Sequence, residues 1–160
     1  MKTCLSACLA AVGLSIFSGA AISHEVPYPQ GYRQWTHVKT LELKPGHPLY
    51  EAVGGIHHLY ANPAAMKGYR GGHKFADGSV IVFDLFEAKD AGNATAEGAR
   101  KAVLVMRKDA KRYAATGGWG YQVYDPGSRK GKLDAKAQAE CHACHLSQEK
   151  QGFVFSAWRD

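Results

Sequence analysis

"ADGSVIVFDLFE", Ala76 to Glu87, is the stretch on which the reading of this chain turns. Asp77-Gly78 is a tight-turn dipeptide, and Ser79 to Glu87 follows as a strand. Val80 and Val82 alternate with Ile81 and Phe83, so this strand is apolar on both faces. A strand with one wet face alternates apolar and polar residues; one apolar on both faces belongs to a sheet covered on both sides. Val103 and Val105 alternate with Leu104 and Met106 in the same way. One cover is expected to be helices or a second subunit, and the other a flat apolar cofactor.

Pro and Gly punctuate the flanking sequence into short segments. Three further strands are expected at Trp35 to Leu43, Gly54 to Asn62 and Trp119 to Asp125, besides the one at Ala102 to Lys108. Asn62-Pro63 is an N-cap and first-turn pair, predicting a short helix to Arg70. Ala88 to Arg100 is expected to be a loop, with at most a helical turn. "KDAKRYAATGGWG" predicts a brief helix ending at Gly117-Gly118, and alanine-rich Leu133 to His145 predicts another. The tail "GFVFSAWRD" is expected to pack its aromatics on the core. The fold class is α+β: an antiparallel sheet of about five strands with short helices.

The chain has 160 residues and a formal charge of +6. Residues 1–23 read as a secretory signal: Lys2, an apolar run from Leu5 to Phe17, then small residues, with cleavage fitting after Ser23 or after Ala20. The run is too short for a membrane span, which needs about 20 residues, and no other segment is long and apolar enough. Residues 24–160 form one expected domain, exported to the periplasm. The basic balance suits an acidic redox partner or an ordinary solvated surface. Without a basic stripe, nucleic acid is not an expected partner.

Removing the signal takes away Cys4 and Cys8 and leaves Cys141 and Cys144, in "AECHACHLSQ". CxxCH attaches haem: the cysteines add to the two vinyl groups and the histidine reaches iron. On a helix Cys141, Cys144 and His145 stand at i, i+3 and i+4, on one side. His145 is thus the expected proximal ligand, and His142 an exposed spacer. A thioredoxin-like CxxC would follow an early strand of a βαβ unit, and a zinc site would need two more ligands with paired spacing. A disulfide across CxxC would constrain almost nothing. Haem c, one per chain, is the expected cofactor. Met66 and Met106 are expected in packing, and Trp35, Trp119 and Trp158 in the core or a dimer contact. Arg33 could reach a haem propionate or lie at the surface.

In order and spacing, "YPQGYRQW", "YANPAA", "FADGSVIVFD", "RKDAKRY", "GGWGYQVY", "CHACH" and "FVFSAWR" resemble the cytochrome P460 superfamily, which includes cytochrome P460 and the cytochromes c′-β. The resemblance runs from about Tyr28 to Trp158 and implies an antiparallel sheet with small helices, a homodimer and one five-coordinate c-haem. The branches differ in the distal pocket. The lysine that the P460 branch ties to the haem edge falls on Phe83, and its acidic residue on Leu104. A basic pocket residue falls on His57. Lys74, before the turn, is the nearest lysine and could substitute only in an unusual register.

If Phe83 faces haem, strand alternation brings Ile81 and Leu85 with it; Leu104 brings Ala102 and Met106; His57 brings Leu59. The implied pocket is apolar with one histidine, the c′-β pattern. Hydroxylamine oxidation needs a placed base, which Leu104 cannot be. The expectation is therefore a binder of NO and related diatomics, acting as carrier, sensor or detoxifier. Its alternatives are a P460-like hydroxylamine-oxidising enzyme and a six-coordinate electron-transfer cytochrome using His57 or a methionine.

Overall fold

The computed structural model describes residues 25–159; the signal-peptide reading lies outside them. Five strands form one antiparallel meander in the order β1-β2-β3-β4-β5: β1 Thr36–Leu43, β2 Gly55–Ala61, β3 Val80–Asp90, β4 Thr95–Lys108 and β5 Trp119–Tyr124. Three α-helices accompany it: α1 Tyr50–Val53, α2 Pro63–Arg70 and α3 Ala135–His145. Among the described residues no helix is long and apolar enough to cross a membrane.

The expected loop at Ala88 to Arg100 is instead the tip of a hairpin. β3 continues to Asp90, β4 starts at Thr95, and Ala88 pairs with Glu97. These residues are exposed and lack an apolar face, so they carry no periodic signal; the ladder propagates from the apolar part of each strand. The predicted helix after Lys108 shrinks to a single 3-10 turn, Ala114–Thr116, before Gly117 in the left-handed region. The α2 reading holds: the Asn62 side chain accepts from the Ala65 N–H at 2.9 Å and from the Val80 N–H at 3.0 Å, tying the helix start to β3.

Each face of the sheet has its own core. On one, Val80, Val82, Val103, Val105 and Tyr124 pack against Val26, Tyr32 and Tyr113. Its cover is the N-terminal segment rather than helices, held by Tyr124 donating to the Val26 carbonyl and Tyr113 to that of Glu25. Asp84 points to this side, fully buried. It accepts from the Tyr32 hydroxyl at 2.7 Å and pairs with Arg33 at 3.0 Å and Arg100 at 2.8 Å. On the other face, Ala61, Ile81, Trp119 and Tyr121 pack against Met66 and Tyr69 of α2, Phe75 and Val154, with Cys141 of α3 at the margin. Burying side chains of this size contributes about 1.5–3 kcal/mol each.

Candidate haem site

Asp134 caps α3 by accepting from the Ala137 N–H at 2.9 Å. Helical spacing then turns Cys141, Cys144 and His145 to one side. Cys141 is half-buried against the sheet and Cys144 is exposed; both are free thiols. The Nδ1 of His145 lies 2.7 Å from the carbonyl oxygen of Phe153. A carbonyl can only accept, so Nδ1 carries the hydrogen and Nε2 keeps its lone pair. That is the tautomer an iron-binding imidazole needs, fixed by a backbone partner. Burial holds the imidazole below its ordinary range, favouring the neutral form.

The accepting carbonyl is set by a turn in which Gly152 and Phe153 have φ of 63° and 67°. Glycine adopts that conformation freely, while for phenylalanine it costs roughly 1–2 kcal/mol. The turn is clamped by Trp119 Nε1 donating to the Gly152 carbonyl at 3.0 Å and by the Phe153 N–H donating to Gln148 at 2.8 Å. Chain end, β5 and α3 therefore aim one imidazole together.

The strand register places the distal candidates. His57 pairs with Leu85, and Leu85 with Ala102. Leu59 pairs with Phe83, Phe83 with Leu104, and Leu104 with Val123. Ala61, Ile81, Met106 and Tyr121 form the third row. Cross-strand partners share a face, so His57, Phe83 and Leu104 stand together, on the side where α3 packs. Phe83, Leu104, Ala102, Met106 and Val123 are only half-buried. On the opposite side Val82, Val103 and Val105 are at most 2% exposed. The sheet is sealed on one face; on the other, Leu59, Ile81, Leu85 and Tyr121 are buried and the half-open part lies around Phe83, Leu104 and Met106.

The buried His57 ring lies against that of Phe83, centroids 3.9 Å apart. Its Nε2 donates to the Val53 carbonyl at 2.5 Å. Burial pushes its pKa down to about 4, with Lys101 and neighbouring histidines adding to the shift against the Val53 bond. Arg33 does not approach this face; it pairs with Asp84 behind the sheet. Lys74 is exposed in the loop after α2, and the register beside it is regular.

Two residues near the site, Tyr121 and Lys39, went unread in the sequence, and a third, His142, was misplaced. Tyr121 is 3% exposed, its hydroxyl has no hydrogen-bond partner, and its ring lies 5.0 Å from that of His145. Burial first, then Cys141 and Cys144, raise its pKa. Its alternation on β5 with Trp119 and Val123 was the available signal. His142 is half-buried rather than an exposed spacer, 5.4 Å from the Phe153 ring, because the chain end folds back over α3. Lys39 on β1 pairs with Leu59, behind a bulge that upsets simple alternation, and so joins the Phe83 row at its edge.

A covalent haem fits these residues. Cys141 and Cys144 would carry the thioethers, the free Nε2 of His145 would bind iron, and Phe83, Leu104 and Met106 offer a half-open apolar bed. The orphaned Tyr121 hydroxyl beside the motif is a polar group awaiting a partner. A search of curated proteins returns no match. The profile of the family described as Cytochrome P460 matches residues 29–156, most of the chain. Motif, meander and match agree, and the chain belongs to the cytochrome P460 family of haem proteins.

Proposed function

We propose that this protein is a c′-β-like cytochrome that binds nitric oxide at a five-coordinate haem c, as carrier, sensor or detoxifier. One observation supports this above the rest: Phe83 stands between Leu59 and Leu104 at the centre of the half-open face. In the three rows of that face no carboxylate occurs. When bound, haem supplies an iron whose sixth position can take a diatomic ligand. Phe83 would hinder bulky or internal ligands to that iron, and the apolar rows would disfavour water and anions, whose burial is costly. Small neutral ligands lose little by entering. His145, oriented by the Phe153 carbonyl, would hold the iron through Nε2. His57, neutral and stacked on Phe83, completes the pocket wall. The acting form is proposed to be a periplasmic homodimer, with the signal removed.

Ultraviolet–visible spectra of the ferric and ferrous holoprotein, with and without NO, test this reading. The expected outcome is a high-spin spectrum that changes on adding NO to the ferrous form. A low-spin spectrum blind to NO would select the electron-transfer reading.

Lys39 favours a second reading. It lies in the Phe83 row two strands away, about 10 Å between backbones at ordinary strand spacing. A lysine–haem link, as in the oxidising branch, would appear in the mass of tryptic haem peptides as a cross-link to Lys39. Its presence, with hydroxylamine turnover, would replace the gas-binding proposal.

A further inference from the structure

A histidine in a haem pocket is ordinarily read as a hydrogen-bond donor to bound ligand, and the geometry here points the other way. The one N–H of neutral His57 is at Nε2, and it is directed at the Val53 carbonyl 2.5 Å away. A carbonyl has no hydrogen to give, so the tautomer is not open to choice. Val53 ends α1 and His57 lies four residues on, in β2, so donor and acceptor belong to one tight connection. The side chain is 2% exposed, which leaves little room for the ring to turn. It is also stacked on Phe83, centroids 3.9 Å apart, and a flipped ring would give up the bond to Val53. What His57 can offer on the Phe83 side is a ring face or the Nδ1 lone pair. Neither stabilises negative charge.

We propose that His57 is a specificity-determining residue that withholds a hydrogen bond from bound ligand, so that the pocket discriminates against O2 in favour of NO and CO. This rests on the gas-binding reading above. Bound O2 accumulates negative charge and gains from a donor, whereas NO and CO remain nearly neutral and gain little. A lone pair facing that charge repels it. The histidine therefore acts in the sense opposite to a donating distal group, and the Val53 carbonyl sets that sense.

The test uses ferrous holoprotein with CO as an infrared probe, since a donor near bound CO lowers the C–O stretch. Wild type is expected to show a high stretch, unmoved on exchange from H2O to D2O. The His57→Leu variant, which loses the lone pair, should leave it in place or lower it slightly, and should not raise it. The His57→Gln variant, whose amide brings a new N–H, should lower it and slow loss of O2 about tenfold, the worth of one added hydrogen bond to a charged acceptor. A low, D2O-sensitive stretch in wild type, or a rise in His57→Leu, would show that His57 donates and would overturn the proposal. The wild-type measurement stands even if neither variant folds. Failure of ferrous wild type to bind CO at all would be distinct: it would sink the five-coordinate reading, and this inference with it.

Discussion

The Nδ1 of His145 and the carbonyl of Phe153 meet at 2.7 Å across a turn that only one glycine makes possible. At Gly152, with φ of 63°, an added Cβ would lie 2.4 Å from the His73 carbonyl. Gly152→Ala is expected to cost about 2 kcal/mol or more, from backbone strain and overpacking. It should also loosen the Phe153 acceptor. Urea unfolding of the holoprotein reads the first effect. A lowered Fe–His stretching frequency in the ferrous protein reads the second, because the imidazole loses donor strength with its hydrogen bond.

Phe83→Ala should open the centre of the half-open face. The stability cost is expected at about 2 kcal/mol, below that of a fully buried phenylalanine because Phe83 is half-buried. Stopped-flow CO binding should become faster. The ferric spectrum should gain a six-coordinate component as water enters.

His57 gives a pH dependence of known sign. Its folded pKa is about 4 against 6.5 for a free imidazole. Between these values the unfolded chain takes up a proton that the folded chain refuses, so stability falls as pH drops through this window. Below about pH 4 this group adds no further slope. Urea midpoints compared between pH 7 and 4.5 should fall less in His57→Leu than in wild type.

The α+β meander was legible because its strands are apolar where they cross the core. Val80 to Phe83 and Ala102 to Met106 show this directly, and Asn62-Pro63 marked α2 by a cap that the helix uses. The hairpin arms from Glu87 to Gly98 were not legible. Their pairing is inherited from the neighbouring ladder and not encoded in a face of their own. At the site, the family resemblance nominated Phe83, Leu104 and His57 together, and the strand register sets the three on one side of the sheet. The resemblance could not show that Val53 would take the His57 hydrogen, nor that Phe153 would take that of His145. Both are contacts to backbone carbonyls, which carry no side-chain signature. Arg33 was equally opaque: its partner, Asp84, is a carboxylate inside an apolar strand, visible as an oddity but not as a pair.

Asn62 serves two elements at once. Its side chain accepts from Ala65 and Val80 and donates to the Gly78 carbonyl at 2.9 Å. Asn62→Ala should cost about 2 kcal/mol, the upper end for a lost helix cap, because β3 loses an anchor as well. Asn62→Asp keeps the acceptor and should recover about half of that in thermal unfolding.

Asp84→Asn removes the charge facing Arg33 and Arg100. The expected cost is about 3 kcal/mol, the low end for breaking a buried pair, because both arginines reach solvent. CO-binding rates should stay at the wild-type value, since Asp84 points away from the half-open face. A changed rate would show that the two faces are coupled.

The unequal cover of the two faces bears on how such a chain can diversify. Val82, Val103 and the Asp84 cluster hold the sheet together without touching the side on which α3 presents its histidine. The half-buried residues of the other side, Phe83, Leu104 and Met106, carry less of the folding load than the buried Ile81, Leu85 and Tyr121 beside them and can be exchanged at lower risk. A position such as Phe83 can thus be changed in size or polarity while the sheet behind it stays intact. One scaffold can in this way carry different pocket linings, with the change confined to a few side chains on one surface.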